Sequence, residues 1–460
     1  MSLFDTIIRQ ASVVTPEGVR VLDVGISGGC FAALAPNLPG TAAVEIDATG
    51  KVMFPGLVDA HVHFNEPGRT EWEGFATGST ALAAGGGTCF IDMPLNSSPP
   101  VLDVASLMAK RRAGEANSRL DFALWGGLTP DSLANLPNLA RSGVAGFKAF
   151  LCPSGLEEFA TANEACLRKG MHIAAEFQVP VAVHAESPAV IAAHQREFPL
   201  PRPGTMADWM ASRPVAAEIA AIEMAVSCAK DTGCALHVVH VSSPEGIELI
   251  HAAKREGIDV TAETCPHYLL LDTWAAERIG PAAKCAPPLR SPGTVEGLWK
   301  ALAAGLIDTV GSDHSPSPPE LKEGDDVFSM WGGIAGCQHG FPLVVERAVG
   351  AWTADPRGGT VPLDGRPGEA SWEALAAVFA TNPARRFRLD GHKGRIGEGM
   401  DADFCLLAPE EFAIETKDLL ARHPISPYVG MRCAWRVKAT WLRGNPVSPS
   451  THGRFLTPDL

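Results

Sequence analysis

The chain has 460 residues, 46% of them apolar and 20% charged, a globular balance that excludes wholesale disorder. Lys and Arg number 38 against 52 Asp and Glu, and the formal net charge of −14 argues against a nucleic-acid backbone as partner. Eleven cysteines form no CxxC pair, the start MSLFDTIIRQ has no apolar signal core, and no apolar run is long enough to span a bilayer. These features predict a cytoplasmic protein with reduced thiols and no membrane partner.

Residues 3–52 alternate like short strands, with a turn at Thr15-Pro16-Glu17-Gly18 and almost no helix signal. Beyond them, short β-branched runs alternate with longer Ala-rich stretches. The runs 58–64, 88–92, 120–125, 144–150, 181–184, 236–241, 260–264 and 309–312 read as strands. Between them 71–84, 101–113, 156–169, 216–231, 244–256 and 294–304 read as helices. Eight strands separated by helices predict an α/β protein built on a parallel (β/α)8 barrel, with an open doubly wound sheet as the alternative. The Gly-, Pro- and Arg-rich stretch 354–368 reads as an exposed loop, after which 404–407 and 434–442 return to strand. The two strand-like ends, 1–54 and 391–460, are expected to pair into one small sheet domain beside a barrel of residues 55–390.

The densest chemistry lies at the ends of the predicted strands. His61 and His63 are two apart, so on a strand both imidazoles face one side. Imidazole is the commonest metal ligand, although an HxH alone also suits two polar residues on an exposed strand face. His184, His240 and Asp313 each terminate another apolar run. Barrel sites assemble at that strand edge, and four His with one Asp so placed predict a metal centre. Lys148, inside Gly146-Phe147-Lys148-Ala149-Phe150, is the odd member. Desolvation lowers the pKa of a buried lysine, and the neutral amine could take up carbon dioxide to become a carbamate bridging two metals. A lysine paired with a nearby carboxylate is equally consistent with the spacing.

The ordered set His61-x-His63, Lys148, His184, His240, Asp313 resembles the binuclear amidohydrolase superfamily, specifically its cyclic amidohydrolases: dihydroorotases, hydantoinases (dihydropyrimidinases) and allantoinases. The resemblance spans most of the chain. It runs from Phe54-Pro55-Gly56-Leu57-Val58-Asp59-Ala60-His61-Val62-His63 to Thr381-Asn382-Pro383-Ala384, Lys393-Gly394-Arg395-Ile396 and Gly399-Met400-Asp401-Ala402-Asp403. It implies a (β/α)8 barrel with a small β-sandwich formed by both termini. Ser312-Asp313-His314-Ser315-Pro316, Asp92-Met93-Pro94-Leu95-Asn96-Ser97-Ser98-Pro99 and Trp331-Gly332-Gly333-Ile334-Ala335-Gly336 are most similar to the allantoinase branch. The segment Phe150-Leu151-Cys152-Pro153-Ser154-Gly155 lacks the Tyr with which hydantoinases contact substrate. Phe64-Asn65 stand where dihydroorotases need an Arg, and Arg69 comes only later.

The activity this resemblance implies is opening of the hydantoin ring of allantoin to allantoate by a metal-bridging hydroxide. Hydantoinase, then dihydroorotase, are the rival activities; a catalytically dead scaffold is the non-enzyme alternative, disfavoured because all six ligand positions are filled. The resemblance places His61, His63, Lys148 as N6-carboxylysine, and Asp313 on one divalent ion, and the same carbamate with His184 and His240 on the other. Zinc is the expected metal, with Co, Mn or Fe also compatible with the donor set. Asp313 is the expected proton shuttle, and Asn96, Ser154, Ala286 and Ser315 the expected substrate contacts. Family members are often homotetramers acting on small molecules. Other polar residues read as structural: His237 as a packed histidine, His314 as a turn residue, Gly85-Gly86-Gly87 as a helix-to-strand turn and Arg385-Arg386 with Arg388 as a short surface run. His267 reads as a residue behind the ligands or at the substrate, and Glu186 as a possible acid.

Overall fold

The computed structural model describes residues 4–350 and 369–459, together with the backbone of 352–354 and 360–362. Apolar runs buried on both faces suit a parallel sheet covered by helices. Eight of them pair in chain order: Leu57–Val62, Gly87–Asp92, Asp121–Gly127, Gly146–Phe150, Val181–His184, Leu236–Val238, Val260–Thr264 and Thr309–Val310. The ring closes where Val62 bridges His314 in parallel and the His63 N–H donates to the His314 carbonyl at 2.8 Å. The barrel forms, and the open sheet does not.

Three strands stop short of their predicted ends: the first at Val62, and two more at Val238 and Val310, where His240 (φ 42°) and Asp313 (φ 44°) turn the chain into the left-handed region. Non-glycine residues rarely adopt that conformation, and where they do the surrounding structure enforces it. The helices Val215–Thr232, Pro244–Arg255 and Pro292–Ala303 lie close to their predicted spans. The stretch 156–169 differs: its helix is Glu164–Glu176, because Asn163 caps it by accepting from the Cys166 N–H at 2.9 Å. Residues 156–163 instead pack as a loop beside the barrel mouth. The helix expected over 71–84 begins at Phe75, whose N–H is taken by Glu66 at 2.9 Å.

The two ends of the chain build one mixed sheet. Phe4–Thr15, Gly18–Ser27, Cys30–Ala35, Ala42–Asp47 and Val52–Pro55 join Phe404–Ala413, Arg432–Leu442 and Asn445–Pro446. The seam is the antiparallel pairing of Val52–Pro55 with residues 404–407. The predicted turn places Thr15 opposite Gly18. Ile8, Val13, Val24, Phe31, Met53, Phe404 and Trp441 form this unit's own apolar cluster, apart from the barrel core. Within the predicted loop 354–368, Thr360–Pro362 pairs antiparallel with Trp352–Ala354 at its start, and the remaining loop residues lie outside the described residues.

Buried charge ties the two units together. Lys393 Nζ lies 2.6, 2.8 and 2.7 Å from Asp121, Asp401 and Asp403, and Arg443 adds a second cation to Asp121. Burial would lower the Lys393 pKa, but Asp403 and Asp121 outweigh it and hold the ammonium charged. All eleven cysteines are free thiols. Among the described residues no helix is long and apolar enough to cross a membrane.

Candidate active site

The C-terminal strand ends surround a cavity of about 370 Å³, with His63, His184, His240 and Asp313 in its wall. Two nitrogen clusters converge there. In the first, His61 Nε2 and His63 Nε2 lie 3.2 and 3.4 Å from Asp313 Oδ1. In the second, His184 Nδ1 lies 3.0 Å from His240 Nε2. The rings of His61 and His240 are 5.4 Å apart, so the clusters adjoin. Burial pushes His63 and His240 below the ordinary histidine value, which favours the neutral ring that ligates metals. Burial would raise the Asp313 carboxyl, but His61, His63 and His240 hold it well below the usual carboxylate range.

Lys148 sits on the fourth barrel strand, its side chain fully buried and its Nζ without a hydrogen-bond partner. Among the described residues it makes no ion pair, so the carboxylate-paired reading does not hold. Burial lowers it to about 8, against the opposing fields of Asp313 and Glu263. His61 Nε2, His63 Nδ1 and His240 Nδ1 are likewise buried without a hydrogen bond. Unsatisfied buried polar atoms are rare in folded proteins, and Lys148 Nζ and His61 Nε2, beside the converging Nε2 atoms of His63 and His240, mark a place built for a group that accepts lone pairs. Neutral imidazoles with a carboxylate are a donor set for divalent ions.

Glu263 escaped the sequence reading. Its Oε1 lies 2.7 Å from His61 Nδ1 and its Oε2 3.4 Å from His237 Nε2. Burial would raise its pKa, but His61 and His237 hold it at about 2. A fixed anion on Nδ1 makes that nitrogen the protonated one and leaves Nε2 free to face Asp313. The signal was available, since a carboxylate inside the buried strand Val260–Thr264 is as anomalous as Lys148. His237 is the packed histidine expected, bonded also to Thr261 at 2.8 Å.

Glu186 is not a proton reservoir. It accepts from His184 Nε2 at 2.8 Å and from Arg213 at 2.6 and 2.9 Å. Burial would raise it, but Arg213 and His184 hold it at about 2. Arg213 and Lys284 both line the cavity, a cationic wall that no motif announced. Lys284 Nζ donates to the Met330 carbonyl and lies 4.2 Å over the Trp209 ring. Arg69 instead turns to the Asn96 carbonyl and Glu158, outside the cavity lining.

Asn96, Ser154, Ala286 and Ser315 all line the cavity. Asn96 Nδ2 donates to Ser315 Oγ at 3.4 Å, while the Ser154 hydroxyl is occupied by its own loop, donating to the Leu156 and Phe159 carbonyls. Pro153 stands in the wall beside them. His267 is buried with both ring nitrogens unpartnered but does not reach the cavity wall. His314 closes the barrel through its backbone and faces Glu73 at 3.4 Å.

Comparison with known proteins agrees with this geometry. A family profile described as Amidohydrolase family matches residues 52–447. Proteins named allantoinase from Rubrobacter xylanophilus and Deinococcus radiodurans are 46% and 48% identical over the whole chain, covering 98% and 99% of their own lengths. Among solved structures, the L-hydantoinase (dihydropyrimidinase) from Arthrobacter aurescens superposes with a TM-score of 0.91 at 32% identity, over 99% of this chain and all of its own. A profile match over most of the sequence, full-length relatives and a shared barrel with its terminal sheet lead to one conclusion: the chain belongs to the amidohydrolase family.

Proposed function

We propose that this protein opens the hydantoin ring of allantoin to allantoate. The observation that carries the reading is near-half identity along the entire length to relatives named allantoinase, on a chain whose barrel mouth gathers both nitrogen clusters. In the wall, Pro153 and Ser154 supply no phenol for a hydantoinase-type contact, and Arg69, the first arginine after the His61-x-His63 motif, is engaged by the Asn96 carbonyl and Glu158.

The converging atoms fit two divalent ions. His61, His63 and Asp313 would hold one, His184 and His240 the other, with Lys148 as carbamate between them. The carbamate forms when the neutral amine nitrogen bonds the carbon of CO2 and releases a proton, turning a neutral side chain into an anion. Ions bound there supply Lewis acidity, activating water near neutral pH and polarising an amide carbonyl. Asp313, ionised and facing the cavity, takes the proton of the attacking water and returns it to the departing ring nitrogen. Asn96, Ala286 and Ser315, in the cavity wall, orient the ring, and Ser154 shapes the wall through its loop. We favour zinc as the metal, a cytoplasmic homotetramer as the working form, and domain boundaries after residues 54 and 390.

A panel of allantoin, hydantoin, dihydrouracil and dihydroorotate tests the assignment. Allantoin should exceed the others by at least about tenfold in kcat/KM, a discrimination of about 1.4 kcal/mol. Faster turnover of 5-substituted hydantoins would overturn it. Glu263→Gln tests how the first cluster is held. Losing the anion on His61 Nδ1 should weaken metal retention on dialysis by about 10- to 100-fold, with excess metal restoring most of kcat. Unchanged metal affinity would exclude that role for Glu263.

A further inference from the structure

The arginines that read in sequence as a short surface run stand, in the fold, over a second cavity. It measures about 410 Å³ and is lined by Pro180, Ala235, Asp259 and Asp308, each the residue immediately before a barrel strand. It therefore opens at the N-terminal end of the barrel, away from the candidate active site. Arg385, Arg386, Arg388 and Thr309 are also in its wall.

The charges do not balance. Asp259 is paired by Arg386 at 2.5 Å, and Asp308 by Lys254 and the Ala262 N–H. Arg385 and Arg388 have no side-chain partner among the described residues, so two guanidinium groups stand uncompensated. Behind them, the Arg386 side chain is 10% exposed and its Nε has no hydrogen-bond partner. Thr309 is 1% exposed, and its Oγ1 is also unpartnered. A buried donor without an acceptor costs free energy that a ligand oxygen relieves. Planar guanidinium groups match the paired oxygens of phosphate or carboxylate.

We propose that this cavity binds a small oxyanion of the phosphate or carboxylate class. Because barrel chemistry sits at the opposite strand ends, the ligand acts on stability rather than turnover. The test uses the metal-loaded full-length enzyme, with inorganic phosphate and oxalate as separate probes at constant ionic strength. One of them should raise the melting temperature saturably and titrate calorimetrically at one site per chain; which one does so separates a tetrahedral from a planar ligand. Arg385→Gln with Arg388→Gln should weaken that binding at least about tenfold and leave kcat/KM for allantoin unchanged. Thr309→Val, which removes the hydroxyl at nearly constant volume, should weaken it about threefold and serves if the double variant does not fold. No saturable effect of either anion on the wild type overturns the proposal. So does binding equal in wild type and variants, which would place the anion on the metals instead.

Discussion

Lys148→Ala should leave no measurable allantoin turnover and strip the bound divalent metal, while circular dichroism stays native. The side chain is buried, its amine bonds nothing, and burial lowers it to about 8, so a reactive neutral fraction exists near neutral pH. As an ammonium amid these ligands it would repel two divalent ions; as a carbamate it attracts both. The fold should survive, because the backbone still pairs with Ala182 in the sheet and no hydrogen bond of the amine is lost. Short carboxylic acids should restore part of the metal binding by supplying the missing pair of oxygens. Metal-free enzyme should also recover faster with bicarbonate than without it. A Lys148→Ala protein holding two metals and turning over near normally would end the carbamate reading.

The largest effect on stability is expected at Lys393. Lys393→Met removes the ammonium that neutralises Asp121, Asp401 and Asp403 and leaves buried carboxylates facing one another. Breaking a buried ion cluster by deleting one partner costs about 3–5 kcal/mol. Chemical denaturation followed by tryptophan fluorescence would read it as a lowered midpoint. Adding Asp403→Asn should recover part of the loss, since the two residues share one interaction. A loss below about 1 kcal/mol would show that Arg443 alone suffices to hold Asp121.

Much of this molecule was legible because ligand-type side chains fall at the ends of apolar runs. His61, His63, His184, His240 and Asp313 announce both the barrel and its working edge. What escaped depends on tertiary context. No glycine or asparagine marks the left-handed turns at His240 and Asp313, so the strands were read too long. Asn163 is a helix cap that the Ala-rich pattern around it obscured. Arg213 and Lys284 come from loops, and the run 385–388, with Arg385 exposed as a surface run should be, gave no sign of its cavity because that is made by residues preceding distant strands.

Closure of the ring by its first and last strands sets a timetable for biosynthesis. His61 leaves the ribosome early, yet Ser312, which bonds the His61 carbonyl, follows 251 residues later. Asp313 and His314 come directly after it. Until then Leu57–Val62 keeps an open edge, and Val52–Pro55 waits longer still for residues 404–407. Open strand edges invite wrong pairings, in the same chain or between neighbours on one messenger. A nascent chain stopping before residue 312 cannot assemble the first histidine cluster with its carboxylate. The centre thus cannot mature before Asp313 has been made, and slow translation between the first and last barrel strands lengthens the interval in which the unfinished barrel needs protection.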